Sequence, residues 1–280
     1  MIEGLRFAAT ASLAALIFLL LLPFHLIGLA FGGRLAGVVP VLWHRFVIQL
    51  LGVRVIVTGR PAAERPLLLL ANHMSWLDIT VLASVTPLSF IAKSEVAEWP
   101  VFGWLAKLQR SVFIDRQRRH ATGATADLVA ERLSRGDVIV LFAEGTSSDG
   151  NRVLPFRSAL VGAAQKAMAA SGRAWVQPVA IAYTGMLGLP MGRQHRPQVA
   201  WYGGADLAPH LKRLMGKGAV DVHVVFGPAR ELPAGADRKR LAEETGLLVR
   251  RLVAGLNAGR APQALLAEAD AAAAPPGLPN

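Results

Sequence analysis

The sequence contains no cysteine among its 280 residues, and it lacks several common catalytic signatures. The missing thiols exclude disulfides, zinc sites built on thiolates and cysteine nucleophiles. The serine-esterase motif G-x-S-x-G, the P-loop motif G-x-x-x-x-G-K-[ST] and a well-placed G-x-G-x-x-G are also absent. Histidines and carboxylates do not cluster with metal-ligand spacing, so we expect neither a metal ion nor a cofactor.

Acidic residues are scarce: 19 Asp and Glu residues are outnumbered by 30 Lys and Arg residues, which gives a formal net charge of +11. Such a balance favours anionic partners, whether nucleic acid, acidic protein or lipid headgroups. Hydrophobic residues make up 53% of the chain, more than soluble domains usually contain, and much of the excess lies near the N-terminus. The aromatic residues do not interleave with the basic runs, so a membrane lipid is the predicted partner and nucleic acid is not.

A long apolar segment occupies residues 7–31. It exceeds the roughly 20 residues that cross about 30 Å of hydrocarbon as a helix. Pro23 and His25 interrupt it, so a full span and a re-entrant dip into one leaflet both stay open. A signal peptide is the less favoured alternative, because the apolar run is longer than a usual signal-peptide core.

The arginines on either side of this segment predict its orientation. Arg6 precedes the segment beside Glu3, and three arginines follow it: Arg34, Arg45 and Arg54. The excess after the segment predicts a main domain on the cytoplasmic side of the inner membrane. Residues 35–51 predict an amphipathic helix at the membrane interface rather than a second span.

The rest of the chain predicts an α/β fold: a layered domain with a mixed, largely parallel sheet flanked by helices, preceded by an N-terminal membrane-associated helical segment. The predicted strands are 53–58, 66–71, 89–92, 111–114, 137–143, 175–183, 198–202 and 220–226, and the predicted helices are 75–84, 100–108, 121–134, 158–171 and 237–257. Pro178 inside an apolar strand predicts an edge or a bulge. The expected domains are a membrane anchor with an interfacial helix at 1–50, the α/β domain at 51–258 and a disordered Ala/Pro-rich tail at 259–280.

The segment from Asn72 to Asp78 follows a buried strand, where the functional sites of α/β sheets gather. His73 there is a candidate general base, and Asp78 on its other ring nitrogen would fix its tautomer. On one continuous helix, two residues five positions apart point about 140° apart, so contact requires a turn before the helix. The structural alternative is a capping box, in which Ser75 caps the helix and Asp78 answers from the third position. The motif alone leaves both interpretations open.

Two further polar segments follow predicted strands. The apolar positions from Val112 run into Asp115 and Arg116, and an arginine fork suits phosphate and carboxylate oxygens. After the predicted strand at 137–143, hydroxyls, a carboxylate and backbone N–H groups are available to bind a polar headgroup. The residues concerned are Glu144, Gly145, Thr146 and Ser147, with the charge of Arg157 beyond them. The alternatives are an exposed basic turn in the first segment and a polar Gly/Ser/Asp turn in the second.

Together these segments resemble the glycerolipid acyltransferase family, that is, the 1-acyl-sn-glycerol-3-phosphate acyltransferases and related lysophospholipid acyltransferases. The family's NHxxxxD block, Phe-Ile-Asp-Arg block, Glu-Gly-Thr block and proline-containing strand appear in family order at 72–78, 112–116, 142–147 and 176–180. The chain departs from the family pattern at Ala143 and Ser147, where Pro and Arg are commoner.

The resemblance implies a mechanism and a set of site residues. His73 would take the proton from a lysolipid hydroxyl, whose oxygen attacks the thioester of acyl-CoA or acyl-carrier protein, and Asp78 would support His73. The residues implied to hold the acceptor headgroup are Arg116, Glu144, Gly145, Thr146, Ser147 and Arg157. The implied reaction uses no metal ion and no cofactor.

The implied acceptor is lysophosphatidic acid, whose acylation gives phosphatidic acid in phospholipid biosynthesis. The longer run 144–156 also resembles a bacterial subgroup that includes acyltransferases acting on lyso-ornithine lipid, which is the alternative acceptor. A remote alternative, based on charge alone, is a non-catalytic protein that binds a membrane surface through a basic face.

Overall fold

A computed structural model describes residues 2–114, 132, 136–162, 174–232 and 235–273 of the chain. Arg116 lies outside the described residues, as do most of the predicted helices at 121–134 and 158–171. The described residues form a layered α/β domain behind an apolar helix, which confirms the predicted fold class.

The sheet is mixed and mostly parallel. Its strands are β1 (Val53–Thr58), β2 (Leu67–Ala71), β3 (Ser89–Lys93), β4 (Val112–Ile114), β5 (Val138–Phe142), β6 (Trp175–Met186), β7 (Leu189–Pro190), β8 (Val220–Phe226) and β9 (Arg230–Glu231). The order across the sheet is β1-β8-β6-β2-β5-β3-β4, and β7 and β9 also pair with β6. Within the described residues the antiparallel pairs all involve β6, and the other pairs are parallel.

Helices cover both faces of the sheet. They are α1 (Ile2–Phe31), α2 (Leu35–Leu50), α3 (Leu77–Val85), α4 (Phe102–Leu108), α5 (Leu207–Lys217), α6 (Arg238–Asn257) and α7 (Pro262–Ala273), with short 3₁₀ helices at Ser94–Glu98 and Arg196–Gln198. Residues of α2, α3 and α5 belong to the core on one face, and residues of α6 and α7 to the core on the other. Asp237 begins α6 as a cap, because its side chain accepts a hydrogen bond from the Lys239 N–H at 2.8 Å.

Strands β2 and β5 are buried along their whole length, which explains their continuous apolar sequences. In β2, Leu67 and Leu69 pack into the core under α2 and α3, whereas Leu68 and Leu70 pack into the core under α6. This is the two-residue alternation of a strand that has a helical layer on each side. An exposed face would instead have required polar residues at every second position.

The parallel register places the carboxyl ends of β2 and β5 side by side, since Ala71 pairs with Phe142. The next strand, β3, pairs with β5, and its last residue, Lys93, is in register with Ile114 at the end of β4. The segments that follow β2 and β5 therefore leave the sheet at the same edge. These segments are the predicted motifs at 72–78 and 142–147.

One predicted strand is wrong, and the prediction for Pro178 is confirmed as a bulge. The predicted strand at 198–202 is instead a 3₁₀ turn followed by irregular chain, in which the Trp201 N–H donates to the Met74 carbonyl at 2.7 Å. Pro178 is not at an edge, because β6 lies between β2 and β8, but it is at a bulge: the three steps from Val176 to Val179 face four steps, from Arg230 to Phe226, on the opposite chain. Strands β9 and β8 pair in succession with the same side of β6. The pairs with β9 end at Val176, and the pairs with β8 begin at Val179. Pro178, which has no N–H to donate, occupies the gap between them.

The predicted disordered tail is also wrong for most of its length. Residues Pro262–Ala273 form α7, and Leu265 and Ala269 are buried in the core under α6. Helices α6 and α7 can pack closely because position 255 is glycine, and a side chain there would overlap Leu265. The alanine-rich composition that suggested disorder instead supports a helix, because alanine has the highest helix propensity.

Helices α1 and α2 form an antiparallel hairpin whose two open ends lie at the domain. Phe18 of α1 contacts Trp43 of α2 with ring centroids 5.7 Å apart, and the Arg6 side chain lies near Gly52, just after α2. Gly28, near the tip, approaches Leu35 too closely for any side chain. The chain therefore leaves the domain along α1 and returns along α2.

The outer surface of this hairpin is apolar. Residues Gly4–Phe31 are long and apolar enough to cross a membrane, judged by length and composition. The exposed apolar side chains include Leu19, Leu20, Phe24, Ile27 and Phe31 on α1 and Val38, Leu42 and Phe46 on α2. Arg45 and Gln49 of α2 are also exposed, and the amphipathic interfacial helix stays a prediction. An apolar surface of this extent is characteristic of a membrane-contacting segment.

Candidate active site

The chain turns sharply where β2 ends, and Asn72 fixes the turn. Its side-chain amide donates to the Ile181 carbonyl at 2.9 Å, and its side-chain oxygen accepts from the Ile181 N–H at 2.8 Å. These two bonds imitate backbone pairing and extend the contact between β2 and β6 by one position. His73 therefore emerges from the sheet edge in a fixed direction.

His73 and Asp78 are in direct contact. Nδ1 of His73 lies 2.8 Å from Oδ2 of Asp78, and the Asp78 side chain is fully buried. Contact is possible because α3 begins only at Leu77, so His73 belongs to the preceding turn. Since the carboxylate accepts the Nδ1 proton, Nε2 of the neutral imidazole is free to accept one.

The same carboxylate also organises the turn. Oδ2 of Asp78 accepts backbone N–H bonds from Met74 at 2.7 Å and Ser75 at 2.9 Å, close to the start of α3. The two interpretations of this motif are therefore compatible: Asp78 holds the turn and contacts His73 at once. The Ser75 hydroxyl lies 3.4 Å from the Leu77 N–H, a weak capping contact.

Tyr183 is a further partner of Asp78, and it was not among the predicted site residues. Its hydroxyl donates to Oδ1 of Asp78 at 2.7 Å from the middle of β6. Burial, and next the negative charge of Asp78, raise the pKa of Tyr183 well above its usual value, so the hydroxyl remains a donor. Its position was the available signal, since a tyrosine inside an apolar strand needs a partner for its hydroxyl.

The last residue of β5 and the segment after it hold His73 from three directions. The imidazole stacks on Phe142 with ring centroids 4.0 Å apart. The His73 N–H donates to Oε1 of Glu144 at 2.7 Å, and the His73 carbonyl accepts from the Ser148 N–H at 2.9 Å. The ring plane and the backbone on both sides of it are therefore set by this second motif.

Glu144 is buried and has both carboxylate oxygens engaged by backbone. Oε1 accepts from His73, and Oε2 accepts from the Leu154 N–H at 2.7 Å. Burial raises the pKa of Glu144 to about 7, although the two backbone hydrogen bonds act in the opposite direction. Arg157 lies behind this segment, where its Nε donates to the Glu144 carbonyl at 3.1 Å. The structure thus places both residues as supports of the turn.

The raised pKa of Glu144 predicts a pH-dependent stability. Between about pH 4.5 and pH 7 the folded protein keeps a proton that the unfolded chain has lost, so the free energy of unfolding falls as pH rises through this window. At about 1.4 kcal/mol per pKa unit, the fall is roughly 2–3 kcal/mol. Glu144→Gln removes this titration. We expect the stability of the variant relative to wild type to rise by that amount between pH 4.5 and pH 7.5 in denaturant unfolding.

Glu243→Gln is the matched control, because Glu243 is exposed on α6. Its stability relative to wild type is expected to stay constant over the same pH range. A constant difference for Glu144→Gln as well would show that the Glu144 carboxylate does not titrate in this window.

An apolar cavity of about 640 Å³ begins beside His73 and continues between the hairpin and the domain. This volume lies within the range of pockets that enclose small-molecule ligands. Gly145, Thr146 and Ser147 line it next to His73, whereas Glu144 and Arg157 are not among its described lining residues. Side chains of both hairpin helices form the opposite wall, including Ala14, Phe18, Leu22, Trp43 and Val47.

This wall of the cavity requires a glycine at position 145. Gly145 has φ +74°, and a side chain there would meet Cδ of Arg157 at 3.0 Å. Glycine adopts this conformation without strain. Within the described residues, no group of three or more His, Asp or Glu side chains is placed to hold a metal ion.

Comparison with known proteins identifies the family. A sequence model of the family described as Acyltransferase matches residues 54–182. A lyso-ornithine lipid O-acyltransferase of Rhizobium meliloti (strain 1021) is 43% identical over 100% of this chain and 97% of its own length. A 1-acyl-sn-glycerol-3-phosphate acyltransferase of Neisseria meningitidis is 35% identical over 70% of this chain and 73% of its own. The crystal structure of the 1-acyl-sn-glycerophosphate (LPA) acyltransferase from Thermotoga maritima shares the fold, with a TM-score of 0.56 and 22% identity, over 88% of this chain and 96% of the other. The chain therefore belongs to the acyltransferase family.

Proposed function

We propose that this enzyme transfers a fatty acyl group from acyl-CoA or acyl-carrier protein to the hydroxyl of lyso-ornithine lipid. The observation that supports the chemistry is the His73–Asp78 pair at the end of an apolar cavity. The similarity to the Rhizobium meliloti enzyme extends over the whole chain, which favours the acceptor that this enzyme is named for. Ser147, which replaces the arginine common in the family, lies in the cavity wall beside His73 and adds no positive charge for a phosphate.

The reaction needs one general base. Nε2 of His73 takes the proton of the acceptor hydroxyl, and the oxygen attacks the thioester carbonyl carbon. A C–O bond forms and the C–S bond breaks, and the departing thiolate receives the proton held by His73. Asp78 keeps Nδ1 protonated and stabilises the imidazolium that forms during the step.

The remaining site residues divide into two groups. Gly145, Thr146 and Ser147 line the cavity beside His73, and with Arg116 they are proposed to hold the acceptor headgroup. Glu144 and Arg157 are proposed to position this wall, because their hydrogen bonds go to backbone groups around it. The apolar cavity is suited to fatty acyl chains, since burial of each CH₂ contributes about 0.8 kcal/mol.

Lysophosphatidic acid is the second candidate acceptor. The Neisseria meningitidis relative, at 35% identity over 70% of this chain, supports it. Lys93 lines the cavity and is one positive charge that a phosphate could meet.

A side-by-side assay of the two acceptors tests the proposal. Purified enzyme in detergent micelles is given lyso-ornithine lipid or lysophosphatidic acid, each with the same acyl chain and with acyl-CoA or acyl-carrier protein as donor. We expect kcat/KM for lyso-ornithine lipid to exceed that for lysophosphatidic acid at least tenfold. A preference for lysophosphatidic acid would reject the proposed acceptor and leave the mechanism standing.

We propose that the protein is membrane-associated and acts at the cytoplasmic face of the inner membrane. Both open ends of the hairpin lie at the domain, which favours insertion of the tip into one leaflet over a complete crossing by α1. The arginines after α1 favour the cytoplasmic side. Protease treatment should digest the domain in inside-out membrane vesicles and spare it in right-side-out vesicles.

A further inference from the structure

The cavity has an aromatic corner close to the His73 motif. Trp99 and Trp201 both line the cavity, with ring centroids 5.9 Å apart and ring planes at 88°. Tyr202, which also lines the cavity, is 41% exposed, and Trp99 is 37% exposed, so this corner lies where the cavity reaches solvent. Two indole rings set at a right angle therefore line the part of the cavity that reaches solvent.

Trp201 is held rigidly to the catalytic turn. Its backbone N–H donates to the carbonyl of Met74, the residue after His73, at 2.7 Å. Its indole N–H donates to the Ala205 carbonyl at 2.8 Å. The indole N–H therefore already has a hydrogen-bond partner, and the ring can bind a ligand through its π face.

The permanent charge on the described residues that line the cavity is positive. Among the described lining residues none is acidic, and Lys93 is the one with a permanent charge. An ammonium group in the cavity would find no carboxylate on these residues, whereas a carboxylate would find Lys93. An indole face attracts a cation within about 6 Å of its centre, and tryptophan does so most strongly of the aromatic residues.

We propose that Trp99 and Trp201 form a subsite for the side-chain ammonium of an amino-acid lipid headgroup, with Lys93 facing the headgroup carboxylate. The inference rests on the proposed function, because it explains how an ornithine headgroup is bound beside His73. The two rings at a right angle form two walls of a cation cage. A lysophosphatidic acid headgroup carries no cation for the two rings, although its phosphate could meet Lys93, so the discrimination between acceptors comes from the indole rings.

The test compares lyso-ornithine lipid with its norvaline analogue, which has the same side-chain carbons and no ammonium group. We expect wild-type enzyme to prefer the ornithine acceptor about 3- to 30-fold in kcat/KM, the range of one cation–π contact. Trp99→Leu should bring this ratio close to 1, mainly by raising KM for the ornithine acceptor. Trp99→Phe keeps an aromatic face and should retain part of the preference.

Trp104→Leu is the matched control, because Trp104 is an exposed tryptophan of α4 that is not among the described cavity-lining residues. Its ratio should equal that of wild type. Aromatic residues also anchor proteins at membrane interfaces. If Trp99→Leu lowers the rates for both acceptors equally, Trp99 acts in membrane binding or folding and the subsite is rejected.

Two outcomes measured with the wild-type enzyme would also reject the proposed subsite. Equal kcat/KM for the ornithine and norvaline acceptors shows that the ammonium is not recognised, while acylation of the ornithine acceptor still supports the proposed function. Acylation of lysophosphatidic acid with neither of the other two rejects the proposed acceptor itself, and the subsite with it.

Discussion

Replacement of His73 by alanine is expected to lower kcat/KM for acyl transfer by on the order of 10²- to 10⁴-fold, the usual contribution of a general base. His73 lines the cavity, and its Nδ1 is engaged by Asp78, so Nε2 is the nitrogen available to the acceptor hydroxyl. Alanine removes the base without disturbing the backbone bonds that residue 73 makes to Glu144 and Ser148. The loss should therefore appear in turnover at saturating acceptor rather than in expression or membrane binding.

His195→Ala is the matched control, because His195 is an exposed histidine outside the site. It should retain wild-type activity. If His73→Ala keeps activity within threefold of wild type, His73 is not the base. The proposed mechanism then fails whichever lipid is the acceptor.

The second large effect is expected from Asp78→Asn. The asparagine side chain would keep the shape of the carboxylate: its oxygen can accept from His73, Met74 and Ser75, and the Tyr183 hydroxyl can rotate to accept from the new amide. What the substitution removes is the negative charge that stabilises the imidazolium. We expect kcat to fall about 10²-fold or more with little change in the acceptor KM.

Two further substitutions separate the effect of the Asp78 charge on catalysis from the structural role of Asp78 in the turn. Tyr183→Phe leaves Oδ1 of Asp78 without its donor, so we expect a stability loss of about 1–3 kcal/mol and a fall in kcat of less than about tenfold. Asp78→Ala removes both charge and support, and should cost roughly 3–5 kcal/mol of stability. If Asp78→Asn is no slower than Tyr183→Phe, the charge of Asp78 does not assist His73, and Asp78 serves the turn alone.

The hairpin and the domain form the cavity jointly. One wall comes from α1 and α2, and the other includes His73 and the segment from Gly145 to Ser147. The outer surface of the same hairpin is apolar. The hairpin that we propose as the membrane anchor is therefore also part of the candidate site, an arrangement that would bring a membrane lipid to His73 without a separate docking element.

Local patterns sufficed for much of the fold. The continuous apolar runs of β2 and β5 identified strands buried on both faces, and the predicted mixed, largely parallel sheet was right because strands alternated with helices. The predicted strand at 198–202 failed because its backbone bonds go to Met74 and to its own turn, a partner choice that no local pattern contains. The tail was misjudged because alanine suits both a disordered segment and a helix that finds a surface to pack against.

The sequence by itself predicted the candidate chemistry. His73 and Asp78 lie five positions apart after one buried strand, and the motif at 142–147 lies at the end of another. The sequence could not decide whether Asp78 capped a helix or contacted His73, because one carboxylate does both only in a particular turn. The tertiary structure decided that, added Tyr183 from a strand more than 100 positions away, and placed both carboxylate oxygens of Glu144 on backbone N–H groups. The physical reason is that buried hydrogen-bonding groups must find partners, and those partners come from strands that only the folded sheet brings together.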